Sequence, residues 1–108
     1  MINSKKIAVI IPTFNEEKNI GKLITSIRKS LLKSFIYVVD DSRNLKTQKI
    51  LKGKKNIKYI HRTNKSGRGS AVLDGLKIAT KKKNITTFIE MDADFSHDPK
   101  EILRNLKF

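Results

Sequence analysis

Cysteine is missing from this chain altogether. Disulfides, a thiolate metal site and a cysteine nucleophile are thereby excluded, and a cytosolic home is permitted. Nor does any apolar run approach the roughly 20 residues needed to cross a bilayer. The opening MINSKKIAVIIP has an apolar stretch too short, and too soon ended by Pro12, for a signal peptide. The expectation is a cytoplasmic protein, soluble or peripheral on the cytoplasmic face of a membrane. Glycine is sparse, and none follows the first apolar segment, where the chain reads Pro12-Thr13-Phe14-Asn15-Glu16. A dinucleotide-binding turn needs glycine there so that the backbone can approach pyrophosphate, which disfavours NAD.

Acidic residues are scarcest of all relative to their opposites: 10 Asp and Glu against 24 Lys and Arg, a net charge of +14. Such a balance invites a nucleic-acid reading, because clustered basic side chains displace counterions from phosphates. The distribution argues otherwise. Residues 1 to 54 hold 12 basic and 4 acidic side chains and residues 55 to 108 hold 12 and 6, so the charge is spread along the chain. No zinc-finger or RNP pattern accompanies it, and Lys-rich helix faces are usually just solvated. A nucleic-acid partner is not expected.

The length of 108 residues suits one small domain or part of a larger one, and 38% apolar content with recurrent Ile, Leu and Val argues for a folded core. Periodicity then gives an alternation. KKIAVII (5–11) reads as a strand buried on both faces and stopped by Pro12; Ile20, Leu23, Ile24, Ile27 and Leu31 recur at helical spacing. FIYVVD (35–40) is a second strand, after which Ser42 is expected to cap a weaker helix over 44–52. NIKYIH (56–61) is a third strand. From Ser70 to about Lys82, Ala71, Val72, Gly75, Leu76 and Ala79 form a small-residue face that lets a helix lie close on a sheet. ITTFIEM (85–91) is a fourth strand, and Asp98-Pro99-Lys100-Glu101 starts a last helix. There is no internal repeat, linker or low-complexity segment. Alternating strands and helices imply an α/β fold, Rossmann-like, with a mostly parallel sheet and helices on both faces.

The few acids sit where that fold binds ligands. Glu16 and Glu17 follow strand one, Asp40 and Asp41 end strand two, and Glu90, Asp92, Asp94 and Asp98 end or follow strand four. With the strand order 3-2-1-4, strands one and four are neighbours, and the crevice between their carboxyl ends is the topological switch point. Asp92 and Asp94 form an Asp-Ala-Asp just past a buried strand. Two carboxylates so close repel each other unless a cation lies between them, and hard oxygen ligands suit Mg²⁺ or Mn²⁺ completed by substrate phosphates. An isolated Asp-x-Asp is more often a pair of exposed turn-forming acids. Asp40 and Asp41 suit a nucleotide's ribose or base as well as they suit a helix cap ahead of Ser42. Gly67-Arg68-Gly69 could meet an anion, or could simply serve tight helix packing. His97 reads as a satisfied loop residue, Asp98 as an N-cap, and Glu90 is unassigned.

Together, "VIIPTFNEEKNI", "VVDDS", "GRGSAVLDGLKIA" and "MDADFSHDP", in this order and at these intervals, resemble the amino-terminal half of family 2 glycosyltransferases of the GT-A fold. The resemblance is strongest to the dolichyl-phosphate (polyprenyl-phosphate) mannose synthase branch. It implies that residues 1–108 are a nucleotide-sugar-binding half whose acceptor half is absent. Pro12, Phe14 and Glu16 match the segment lining the nucleotide, with Phe replacing the usual Tyr. Val39 and Asp41 match strand-end residues that contact base and ribose. Asp92, Ala93 and Asp94 match the D-x-D that meets the diphosphate through Mn²⁺ or Mg²⁺, and Ser96 matches a further metal contact. After Asp41 the chain departs from the family pattern, reading Ser-Arg-Asn-Leu-Lys-Thr with only Thr47 in its usual place.

The resemblance further implies transfer of mannose or another hexose from a GDP- or UDP-sugar to a lipid phosphate such as dolichyl phosphate, with Asp92 and Asp94 as catalytic groups. A membrane surface, or a second chain supplying the missing half, would be a further partner. Two other readings stand beside it: a nucleotide-sugar-binding fragment that turns nothing over alone, and, well behind, a basic nucleic-acid-binding protein.

Overall fold

The computed structural model describes residues 3–94. Ser96, His97, Asp98 and the helix expected after Pro99 lie outside the described residues. A short 3-10 turn, Ser4–Lys6, leads into β1 (Ile7–Thr13), followed by α1 (Ile20–Ser30), β2 (Phe35–Asp40), α2 (Lys46–Leu51), β3 (Ile57–His61), α3 (Arg68–Ala79) and β4 (Thr87–Glu90). All strand pairs are parallel and the sheet order is β3-β2-β1-β4. The chain walks outward from β1 to β3, then returns to the other side of β1 for β4. That reversal leaves a crevice at the carboxyl ends of β1 and β4.

Every residue of β1 is buried because both faces of the sheet are covered. Odd positions Ile7, Val9 and Ile11 pack with Ile20, Leu23, Ile24 and Ile27 of α1, whereas even positions Ala8 and Ile10 belong to the layer beneath α3. Each buried Ile, Leu or Val among them contributes about 1.5–3 kcal/mol. The small face of α3 brings that helix close: a Cβ on Gly75 would stand 2.6 Å from Ile10 Cγ2 and 3.1 Å from Val39 Cγ2. Only glycine permits the approach.

Two local expectations need correction. Pro12 does not stop β1, which runs on to Thr13. In the parallel ladder even residues of β1 face β4, as the Met91 N–H bond to Ile10 O shows, and the β4 pairing ends at Ile10 with Glu90. The N–H that proline lacks would point where no ladder bond remains. Ser42 does not cap α2 either. That helix starts at Lys46 after Leu45 without a side-chain cap, while Ser42 Oγ donates to Asp40 Oδ1 at 2.6 Å and accepts the Asn15 N–H at 2.8 Å. Asn44 Oδ1 instead accepts the Lys46 N–H.

Candidate functional site

A cleft of about 290 Å³ opens at the switch point. The end of β1 supplies Pro12, Thr13, Phe14 and Glu16, and the end of β2 supplies Asp41. The loop before α3 brings Ser66 and Gly67, and the first residue of α3 is Arg68; the chain after β4 brings Asp92, Ala93 and Asp94. Of the residues expected at a site, Pro12, Phe14, Glu16, Asp41, Asp92, Ala93 and Asp94 thus meet at one opening. The side chain of Val39 does not: it is fully buried beneath α3. Ser96 lies outside the described residues.

Phe14 is 59% exposed on the rim, where its ring offers a flat apolar face. Behind it Asn15 takes a left-handed conformation, φ 54°, which Asn tolerates better than most side chains and which turns the chain sharply out of β1. Glu16 Oε2 accepts from Asn19 Nδ2 at 3.1 Å at the entry to α1. A second cleft, on the far side of Phe14 and Asp41, is lined by Ser42, Arg43, His61 and Asn64 and encloses about 500 Å³.

The two adjacent aspartates at the end of β2 have different jobs. Asp40 is fully buried and accepts from Thr13 Oγ1 at 2.9 Å, Ser42 Oγ at 2.6 Å, Ser42 N at 3.1 Å and Tyr59 OH at 2.7 Å. These bonds tie the carboxyl ends of β1, β2 and β3 together. Burial, and then the bond to Asp40, push the Tyr59 phenol above its ordinary value, so Tyr59 stays a donor. His61 Nε2–H donates to Ser42 O at 2.7 Å, fixing the next turn of chain. Asp40 is structural, and Asp41 faces the cleft.

Asp41 is gripped by Arg62, a residue that sequence reasoning missed. Arg62 Nε donates to Asp41 Oδ1 at 2.6 Å and Nη2 to Oδ2 at 2.7 Å, both side chains nearly buried. Arg62 also donates to Ser70 Oγ, Asp74 Oδ2 and Gly67 O. Its bond to Asp41 first, and that to Asp74 after it, hold the guanidinium pKa above its ordinary value against burial. Arg62 in turn holds the Asp74 carboxyl below the usual carboxylate value, with Lys65 helping and burial opposing. The signal lay in the register. Asp40 pairs with His61, so the residues that follow β2 and β3 are a carboxylate and a guanidinium side by side at the sheet's end.

Gly67 carries φ 113°, which suits glycine, and its N–H donates to Asp41 Oδ2 at 3.1 Å. Neither Gly67 nor Gly69 has anything within 4 Å of where a Cβ would stand, so close helix packing does not explain the Gly-Arg-Gly. Arg68, between them, reaches across to β4: Nε donates to Asp92 Oδ1 and Nη2 to Glu90 Oε2, each at 2.6 Å. These bonds, Asp92's first, raise the Arg68 pKa. A cationic group therefore already rests on the carboxylates at the end of β4. Among the described residues no three His, Asp or Glu cluster as a metal cage. A pair of aspartates beside a cleft instead fits a hard divalent ion held jointly with a ligand's phosphates.

The chain resembles known proteins across nearly its whole length. Residues 8–108 match glycosyl transferase family 2. A dolichol-phosphate mannosyltransferase of Pyrococcus furiosus is 39% identical over 102 residues, which are 90% of this chain and 28% of that protein. A polyprenol monophosphomannose synthase of Mycolicibacterium smegmatis is 32% identical over 108 residues, 95% of this chain and 40% of its own length. An uncharacterized protein of Methanocaldococcus jannaschii is 40% identical over 108 residues and is covered to 42%. The chain thus spans less than half the length of these relatives. With a parallel 3-2-1-4 sheet and a family match that begins in β1 and runs to residue 108, the chain belongs to glycosyl transferase family 2.

Proposed function

We propose that these residues form the donor-binding half of an enzyme that moves a hexose, mannose in the first instance, from a GDP- or UDP-sugar to a lipid phosphate of the dolichyl or polyprenyl kind. The observation that carries this reading is the convergence of Asp41, Asp92 and Asp94, from two different strand ends, on one cleft that also holds Gly67 and Arg68. The names of the Pyrococcus and Mycolicibacterium relatives support the acceptor and the sugar.

In this reading Phe14 offers its ring to the nucleotide, Pro12 and Glu16 line the same wall, and Asp41 accepts from ribose or base. Arg68, Asp92 and Asp94 face the diphosphate. Mn²⁺ or Mg²⁺ held by Asp92 and Asp94 would supply positive charge to the leaving diphosphate. Arg68, about half exposed, adds a second positive group beside them for the charge that develops on the leaving group. A lipid phosphate acceptor is already an anion, and no strong general base is required to activate it.

The relatives are more than twice as long as this chain, and in this reading the acceptor groups correspond to the part of them that it does not match. Among the described residues no helix is long and apolar enough to cross a membrane. The surplus of Lys and Arg suits an anionic membrane surface, a side chain that lies against acidic lipids contributing about 1 kcal/mol.

The test is sugar transfer from GDP-mannose and UDP-glucose to a polyprenyl phosphate with Mn²⁺, run beside nucleotide binding. Binding with transfer supports the enzyme, and binding without transfer by this chain alone supports a donor-binding fragment that needs a partner. A folded chain that takes up neither nucleotide contradicts both. Steeply salt-dependent affinity for DNA or RNA, unchanged by Asp92→Asn, would point to a nucleic-acid-binding protein instead.

A further inference from the structure

Arg62 uses everything it has. A guanidinium carries five N–H donors, and here each has an acceptor: Nε on Asp41 Oδ1, Nη2 on Asp41 Oδ2 and Gly67 O, Nη1 on Ser70 Oγ and Asp74 Oδ2, at 2.6 to 3.1 Å. Its side chain is only 5% exposed, so the group can hardly touch a ligand in the cleft. Asp41 and Gly67 do line that cleft. Arg62 borders the neighbouring cleft beside Ser42 and His61 but not this one, so whatever it does for a ligand here it does through them.

We infer that Arg62 is a positioning residue of the donor site: it fixes the plane of the Asp41 carboxylate and neutralises it, so that Asp41 can meet a nucleoside whose attached diphosphate would otherwise be repelled. The inference rests on the donor-binding reading above. Three features carry it. First, the grip is bidentate, which sets the plane of the carboxylate as well as its place, and the Gly67 N–H adds a third bond to the same group. Second, the pair is formed across β2 and β3 at the sheet's carboxyl end, where Arg62 N also donates to Asp40 O at 2.9 Å, so the backbone beneath both side chains is locked. Third, a carboxylate at 6% exposure without that fork would leave its charge buried and uncompensated beside a diphosphate. Asp74 and Ser70, on α3, hold the other end of the fork and keep the guanidinium from following a ligand out of its seat.

Lysine in place of Arg62 keeps the charge but offers a single ammonium that cannot form the fork. The experiment is calorimetric titration of GDP, UDP and inorganic pyrophosphate, with Mn²⁺, into the 108-residue chain, Arg62→Lys, Asp41→Asn and the double variant, at a temperature where each is shown to be folded. Arg62→Lys is expected to weaken the nucleoside diphosphates about tenfold and pyrophosphate, which has no nucleoside for Asp41 to meet, less than about threefold. In the Asp41→Asn background the same substitution is expected to change little, because the group through which it acts has gone. Ser70→Ala, which loosens the fork without removing charge, repeats the pattern on a smaller scale and stands in if Arg62→Lys does not fold. Equal losses for pyrophosphate and nucleoside diphosphate, or losses that multiply in the double variant, overturn the inference and leave Arg62 a purely structural support. Failure of the unaltered, folded chain to bind GDP or UDP overturns the donor-binding reading itself, and the positioning role with it.

Discussion

Two arginines hold two aspartates on opposite sides of one cleft, and they do so in opposite ways. Arg62 and Asp41 are 5% and 6% exposed, joined by a fork and surrounded by further acceptors. Arg68 and Asp92 are 48% and 26% exposed, joined by one bond from Nε while Nη2 goes to Glu90. Breaking a buried pair strands a charge in a poor solvent, whereas water replaces most of what an exposed pair loses. The first pair is framework. The second stands half in water, where an ion pair contributes little to the fold.

The sharpest way to break this contrast is to remove each cation in turn. Arg62→Ala is expected to destabilise the fold by about 3–5 kcal/mol, read from urea denaturation. Arg68→Ala should stay within about 1 kcal/mol. Similar losses for the two would show that burial does not separate the pairs. The acids offer the next comparison: Asp41→Asn, which leaves Arg62 facing a neutral group, is expected to lower stability by about 1.5–3 kcal/mol. Asp92→Asn, which breaks the more exposed pair, is expected to cost less than Asp41→Asn in the same denaturation series.

A smaller effect concerns the exposed pair itself. If Arg68 competes for Asp92, then Arg68→Gln binds free Mn²⁺ about two- to fivefold more tightly, the equivalent of an exposed ion pair, and binds nucleoside diphosphate more weakly when no metal is added. Unchanged Mn²⁺ affinity would mean that the guanidinium and the ion do not share a carboxylate.

The smallest effect is in acid. Arg62 holds Asp74 below its ordinary carboxylate value, so between the lowered and the ordinary value the folded chain binds fewer protons than the unfolded one. That contribution is complete above the ordinary range and disappears as pH falls through the lowered value. Stability measured against pH should fall less steeply in this window for Asp74→Asn than for the unaltered chain.

The framework was the more legible part of the sequence. Runs such as IAVII and FIYVVD announce doubly covered strands, and the spacing of Ile20, Leu23, Ile24 and Ile27 announces the helix that covers one face. Gly75 within a small-residue stripe announced the close approach of α3. Periodicity is local, however, and the contacts that arm the cleft are not. Ser42 looks like a helix cap until the fold sets it beside Asp40 and Asn15, and Arg62 looks like one of many solvated basic residues until β3 carries it to Asp41. Pro12 misled for the same reason: only the end of the β4 ladder explains why a strand can run through it. The acids of the cleft stood out because acids are rare here, whereas the partner of Asp41 was hidden among 24 positive charges.

The most direct test of the account is whether nucleotide and metal share the carboxylates at the end of β4. Titrating GDP or UDP into the folded chain with and without Mn²⁺ is predicted to show uptake that the ion tightens at least tenfold, with that tightening lost in Asp92→Asn. Nucleotide uptake indifferent to Mn²⁺, or an ion effect that survives Asp92→Asn undiminished, would contradict it.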